Sequence, residues 1–308
     1  MRDTQKFIAA TRGSLLARTQ SGQSVDTLFG ATGVRCEIRC FKTEGDRITD
    51  RPLTSFGGTG VFVKELERAL IEGEADVAIH SLKDVPTDVA EGLVLAAFLP
   101  REDARDILIT PTGAGLEELP KGAHVGTGSP RRILQLRALR PDLVFSALRG
   151  NIDTRLEKLA QGACEAIVLA RAGLLRLGKS VQGRVLETDQ CLPAPGQGAI
   201  VFECRSDDRQ MLDLLARIND ADTEAAVTAE RALMHRLEGG CKIPLAAHGR
   251  VREGRLQLEA LTGDEGDGRT LRLGIEGAAT GAAELGRELA DLLREGCVRE
   301  GIPLPTGA

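Results

Sequence analysis

A chain of 308 residues and 32.8 kDa, 42% hydrophobic and 28% charged, has globular composition and length for about two domains, which excludes a disordered chain. Aromatic residues are 3% with neither Trp nor Tyr, and net charge is −5, which excludes a stacking platform for single-stranded nucleic acid and argues against a general nucleic-acid binder. The 36 glycines have no three-residue period and no apolar run reaches membrane-spanning length, so neither collagen nor a membrane partner is expected.

Met1 to Ala10 lacks the basic-then-apolar layout of a secretory signal. With seven cysteines, an odd number, this predicts reduced thiols in a cytoplasmic chain. Lys6–Ala10 reads as a strand, followed by Thr11-Arg12-Gly13-Ser14 and a helix from Leu15. Cys36 and Cys40 lie four apart in a further strand and share a face. Apolar residues at 62, 63, 66, 69 and 70 give Phe62–Glu72 helical spacing, ended by Gly73. Asp76–His80 then reads as a strand. At its carboxyl end, where α/β sites lie, comes His80-Ser81-Leu82-Lys83-Asp84-Val85-Pro86. Asp84 there is an ionised carboxylate facing a cation, a proton carrier, or part of a polar turn stopped by Pro86.

Lys121 to Val185 holds 12 Lys+Arg against 4 Asp+Glu, a basic lobe inside an acidic chain that points to a localised anionic ligand. Within it, Val125-Gly126-Thr127-Gly128-Ser129-Pro130-Arg131-Arg132 is the strongest local signal. Ser129 is a good N-cap and Pro130 fits the first helical position. Open N–H groups, the helix dipole and two forked guanidiniums suit carboxylate or phosphate; the alternative is a capped helix with solvent-facing arginines. Leu148–Arg155 is a strand-turn-helix junction that sets Arg149 and Arg155 at a helix start, against the dipole. Arg176 also sits near an element end.

An internal echo pairs helix–Gly73–Asp76–strand with helix–Gly162–Glu165–strand, and Thr11-Arg12-Gly13-Ser14 with Thr127-Gly128-Ser129. It predicts two similar βα lobes bordering a cleft, or is coincidence between common turns. From Thr223 the character changes. A helix (Thr223–Leu237) ends at Glu238-Gly239-Gly240-Cys241. Ala246–Val251, Arg255–Thr262 and Arg269–Ile275 then form an antiparallel meander, and a helix runs from Gly281 to Glu295. Cys241 follows the negative end of a helix, so by itself it reads as an inert thiol. The four histidines (His80, His124, His235, His248) are scattered, so no metal constellation is visible. No G-x-S-x-G, Walker A or G-x-G-x-x-G fingerprint is present.

Taken together the segments resemble the hydroxymethylbilane synthase (porphobilinogen deaminase) family. The matching runs are Ala10–Ser14 with Gln20, Gly57–Leu70, Asp76–Pro86, Arg101–Asp106, Val125–Arg132, Leu148–Leu156, Ala166–Gly178, Leu192–Arg205 and Ala229–Pro244, in the family's order. His80–Pro86, Leu192–Ala199 and Leu237–Cys241 are together highly specific. The resemblance implies an α/β fold of two binding-protein-like, doubly wound lobes around a cleft, plus a small α+β C-terminal domain. The expected divisions are 1–99 with 200–218, 100–199, and 219–308, the segment near Arg205–Ile218 returning to the first lobe. It implies a transferase that condenses four porphobilinogen units with loss of ammonia into linear hydroxymethylbilane for tetrapyrrole and heme synthesis, as a cytoplasmic monomer. The chain would grow on a dipyrromethane cofactor held by a thioether to Cys241, which reverses the inert reading of that thiol. Asp84 matches the catalytic aspartate. Arg12, Ser14, Arg149, Arg155 and Arg176 match substrate-side anchors. Ser81, Lys83, Thr127, Ser129, Arg131 and Arg132 match cofactor-side anchors. Each pyrrole carries an acetate and a propionate, which accounts for the basic lobe. Departures from the family pattern are Thr59, Glu44, Gly128, Pro130, Asp153, Ala104 and Arg18-Thr19. They leave open a two-lobed anion- or pyrrole-binding protein that has lost turnover.

Overall fold

The computed structural model describes residues 6–43, 63–237, 244–266 and 268–303. Glu44, Thr59 and Cys241, to which the sequence assigns roles or departures, lie outside these described residues.

β1 (Phe7–Arg12) runs into a polar turn, and α1 (Leu15–Thr32) begins where the Ser14 Oγ accepts from the Ala17 N–H at 3.3 Å. Gly33, at φ 73°, closes that helix in the left-handed region that favours glycine. β2 (Cys36–Phe41) and β3 (Val77–Ser81) flank β1 in parallel. Between them α2 (Lys64–Ile71) buries Leu66, Ala69 and Leu70, the predicted apolar stripe, against Ala10 and Ala78. β4 (Leu93–Phe98) is an edge strand of this sheet.

β5 (Asp106–Ile109), β6 (His124–Gly126), α3 (Pro130–Leu139), β7 (Val144–Ser146), α4 (Ile152–Ala160), β8 (Ala166–Ala170), α5 (Arg171–Arg176) and β9 (Gly183–Leu186) follow. The chain then returns: β10 (Ile200–Arg205) enters the first sheet antiparallel to both β3 and β4, and α6 (Arg209–Leu215) packs Met211 and Leu215 onto it beside Leu28 and Phe202. The first sheet has the order β2-β1-β3-β10-β4 and the second β7-β6-β8-β5-β9. In each, three parallel strands are extended by an antiparallel fourth and a fifth, so both lobes have the mixed α/β construction that the sequence predicts.

The echo in the sequence is physical. The Asp76 carboxylate accepts from the Ile8 N–H at 2.7 Å while the Asp76 N–H donates to Ile8 O at 2.9 Å. The Glu165 carboxylate accepts from the His124 N–H at 2.7 Å while the Glu165 N–H donates to His124 O at 2.9 Å. Asp76 hooks β3 to β1 and Glu165 hooks β8 to β6, each one turn after a left-handed glycine, Gly73 or Gly162.

α7 (Ala221–Arg236) starts two residues earlier than predicted because Asp220 caps it, its Oδ1 accepting from Thr223 N at 2.8 Å. β11 (Ala246–Arg252), β12 (Arg255–Gly263) and β13 (Thr270–Ala278) form the predicted antiparallel meander. α8 (Ala282–Glu300) continues past the predicted end at Glu295, since its buried stripe Leu289, Leu293, Cys297 extends another turn to Gly301.

The chain forms two compact units, Met1–Glu102 with Ala199–Glu224, and Asp103–Gly198 with Ala225–Ala308. The C-terminal meander has its own core around Leu233, Leu258 and Leu289. It joins the second sheet's unit through Leu134, Leu192, Ala246 and Leu261, where each fully buried leucine contributes about 1.5–3 kcal/mol. Arg137 Nη1 donating to Glu265 O at 2.6 Å and Arg272 Nη1 donating to Thr188 O at 3.0 Å brace the same junction. Among the described residues no helix is long and apolar enough to cross a membrane.

Candidate active site

The sequence-selected residues within the described regions fall into two sets, one per unit. Each stands at a strand's carboxyl end or on the helix that follows it. In the first unit, Arg12 ends β1 and Ser14 caps α1. β3 is buried through Val77, Ala78 and Ile79, and ends at Ser81 in a single 3₁₀ turn, Leu82–Asp84. The buried Leu82 pins that turn, and Val85 N donates back to Leu82 O at 3.0 Å. Asp84 is 34% exposed and its Oδ2 lies 3.5 Å from Arg12 Nη1. The contact is long for a charged hydrogen bond, so the carboxylate keeps acceptor capacity for a ligand. Ser81 Oγ donates to Gln20 Oε1 at 3.0 Å, which fixes its hydroxyl against α1. His80, grouped with these residues by sequence, points into the core instead, with Nε2 at 2.8 Å from the fully buried Glu203.

In the second unit β6 ends at Gly126. The Thr127 N–H donates to Ser146 O at 2.9 Å, and the Thr127 Oγ1 accepts from Ser129 N at 3.3 Å. Ser129 occupies the N-cap position of α3 and Pro130 the first helical one, but the Ser129 side chain makes no capping bond. That corrects the expected cap. Thr127 holds the turn, and the first N–H groups of α3 receive no side-chain cap from Ser129.

Arg131 and Arg132 do not face solvent. Both turn inward onto the fully buried Asp106, at 2.8 Å and 2.7 Å, with 5% and 9% of their side chains exposed. Arg131 Nη1 also donates to Leu192 O at 2.7 Å, and Arg132 Nη1 to Val168 O at 2.9 Å. Burial works against the Asp106 charge, but the two guanidiniums outweigh it and hold the carboxyl well below the usual carboxylate range. The Nε atoms of both arginines are buried without a hydrogen-bond partner among the described residues.

Arg155 Nε donates to Gly150 O at 2.8 Å, and neither Arg149 nor Arg155 meets a carboxylate among the described residues. Burial, then the charges of Arg132 and Arg149, pull the Arg155 guanidinium below its ordinary value. Like charge thus gathers around Arg155. Arg176 Nη2 donates to Gly198 O at 2.6 Å. Lys179 pairs with Asp153 at 2.6 Å, so the Asp153 departure removes one cation from the basic surface. Among the described residues no cluster of His, Cys, Asp and Glu has the makings of a metal site.

Sequence reasoning missed Asp106, Gln135, Gln197 and Glu230. Gln135 Oε1 accepts from Leu192 N at 2.7 Å, Gln197 Nε2 donates to Asp106 at 3.0 Å, and Glu230 accepts from both Gly196 N and Gly249 N at 2.6 Å. Together they fasten the Leu192–Gly198 segment. The available signal was a charge at the head of an otherwise apolar strand, Asp106-Ile107-Leu108-Ile109.

Two family models match in tandem. "Porphobilinogen deaminase, dipyromethane cofactor binding domain" covers residues 7–213 and "Porphobilinogen deaminase, C-terminal domain" covers residues 224–295. Porphobilinogen deaminase of Syntrophobacter fumaroxidans is 45% identical over 94% of this chain and 94% of its own length. That of Nitrobacter hamburgensis is 46% identical over 92% of each. Among solved structures, the substrate-binding domain 2 of Lactococcus lactis GlnP is similar at 10% identity and TM-score 0.43, over 71% of this chain and 88% of that one. The fold assignment rests on the strand orders above. Relatives so close over nearly the whole length, and family matches that take in both residue sets, leave one reading: the chain belongs to the porphobilinogen deaminase family.

Proposed function

We propose that Asp84 manages charge and protons while this chain joins four porphobilinogen units, with loss of ammonia, into linear hydroxymethylbilane, and that it does so as a cytoplasmic monomer without nucleic-acid or membrane partners. As a family member the chain is an enzyme acting on porphobilinogen, and its 7–213 region is the family's dipyrromethane-binding domain.

The residues fit such a group. Its acetate and propionate carboxylates need cations and N–H donors in excess. The start of α3 with no capping bond from the Ser129 hydroxyl, Arg149 and Arg155 with no carboxylate partner among the described residues, and the two guanidiniums sharing one carboxylate supply that excess. Bound dipyrromethane supplies the pyrrole terminus on which the product is extended. Thr127, Ser129, Arg131, Arg132, Ser81 and Lys83 hold it, and Cys241 is its covalent anchor. Arg12, Ser14, Arg149, Arg155 and Arg176 orient the carboxylates of incoming porphobilinogen.

Loss of ammonia from an aminomethylpyrrole leaves a ring short of electrons. A carboxylate at the ring N–H stabilises that positive charge and takes up the proton released on coupling, a role worth about 10²–10⁴-fold in rate. Asp84 suits it because the 3₁₀ turn fixes its backbone while Arg12 Nη1, 3.5 Å from its Oδ2, sets a cation on one side of the carboxylate. The observation that carries the proposal is this partly open carboxylate at the end of a buried strand, in a chain whose other unit gathers arginines in excess of their carboxylate partners among the described residues.

Intact mass of the purified protein reads the anchor, as an added mass of two linked pyrroles removed by Cys241→Ser. Steady-state bilane formation by Asp84→Asn reads the mechanism. A rate at least about a hundredfold below wild type is expected, with an unchanged melting temperature. A near-normal rate would remove Asp84 from the chemistry.

A further inference from the structure

Asp106 belongs to no group that touches solvent, yet it is the carboxylate that answers two arginines. Its Oδ2 lies 2.8 Å from Arg131 Nη2 and accepts from the Cys191 thiol at 3.5 Å; its Oδ1 accepts from Arg132 Nη2 at 2.7 Å and from Gln197 Nε2 at 3.0 Å. Each guanidinium spends its other terminal nitrogen on a main-chain carbonyl, Leu192 O or Val168 O. Both forks are thereby fixed at two points. A planar guanidinium held at two points has little rotational freedom left, so Asp106 decides where the remaining edge of each is presented.

The charges do not close. Two cations face one anion in a buried place, and Arg155 adds its charge near Arg132. The partnerless Nε atoms leave each fork short of an acceptor. An arrangement built only for stability would balance charge or replace it with apolar packing. This one keeps a surplus positive charge at a defined position, next to the start of α3.

We propose that Asp106 is the positioning residue for cofactor capture: it sets the two adjacent guanidiniums of Arg131 and Arg132 so that the carboxylates of dipyrromethane complete the cluster. The proposal rests on the cofactor reading above. It assigns Asp106 no contact with the reacting atoms. Without its charge, Arg131 and Arg132 repel, and the pre-set cradle is lost even where the fold survives.

The test uses the full chain purified from a host that makes porphobilinogen, with intact mass of the folded, monomeric fraction as readout beside melting temperature. Wild type carries the two-pyrrole mass; a bare wild type would sink the cofactor reading itself rather than this inference. Folded Asp106→Asn is expected to carry that mass at less than about a tenth of wild-type occupancy. Full occupancy in a folded Asp106→Asn, merely lower melting, would make the residue structural and overturn the proposal. Should Asp106→Asn not fold, Asp106→Glu decides. It keeps the charge but moves both forks by a methylene, and the apo-protein should take up supplied porphobilinogen into the adduct several-fold more slowly. Loading at the wild-type rate would overturn the proposal.

Discussion

The cysteine sulfurs meet very different surroundings. Cys191 is buried within 3.5 Å of Asp106 and of Arg131, and burial together with Asp106 pushes its thiol up to about 12. Burial, with Asp208 adding, pushes Cys204 up to about 12, and burial with Asp76 pushes Cys36 up to about 11. Cys40 is exposed. A thiol reacts as thiolate and only where reagent reaches it. Iodoacetamide at pH 7.5 should therefore label Cys40 in native protein and spare Cys191 and Cys204 until denaturant is added, as read by peptide mass mapping. Native labelling of Cys191 would show that the Asp106 cluster opens. At this scale the sequence showed Asp84 and the arginines because strand ends carry sites. It could not show that Arg131 and Arg132 face inward. A pair of arginines after a helix start looks the same whether its counter-charge is water or an aspartate 25 residues earlier, and only the pairing of β5 with β8 puts Asp106 opposite Ala170 and within their reach.

Helix contacts in the C-terminal half depend on missing side chains. A Cβ on Gly286 would stand 2.2 Å from Ala229 O and 2.9 Å from Ala232 Cβ, so α7 and α8 touch through that glycine. Gly286→Ala must separate the two helices, at about 1–3 kcal/mol. A fall in melting temperature of several degrees is expected, whereas Gly281→Ala, with nothing within 4 Å, should melt like wild type. Equal melting of both variants would show that the helix pair yields without cost. The same effect accompanies the run of α8 past Glu295: the missing side chain of Gly296 admits Leu271, whose Cδ2 would lie 2.6 Å from a Cβ. The strands of the meander were legible from alternation, since one face packs on α8 and the other is largely exposed.

Over the whole molecule charge is segregated. A net −5 contains a stretch, Lys121–Val185, with 12 basic residues and 4 acidic ones. Several basic side chains there lack acidic partners among the described residues, so the stretch draws anions over a range set by ionic screening, about 10 Å at 0.1 M salt. KM for the dicarboxylate substrate should rise several-fold between 0.05 and 0.5 M salt, with a smaller change in kcat; a flat KM would mean that only direct contacts matter. The order of strands has a further consequence. The first sheet needs β10, which lies beyond the entire second sheet in the chain. A polypeptide emerging from the ribosome therefore holds β3 and β4 apart until residue 205 has cleared the exit tunnel, and the second lobe, begun later, closes its sheet earlier. The strand hydrogen bonds that β10 will occupy stay unpaired for that interval, the kind of open edge on which incompletely folded chains aggregate.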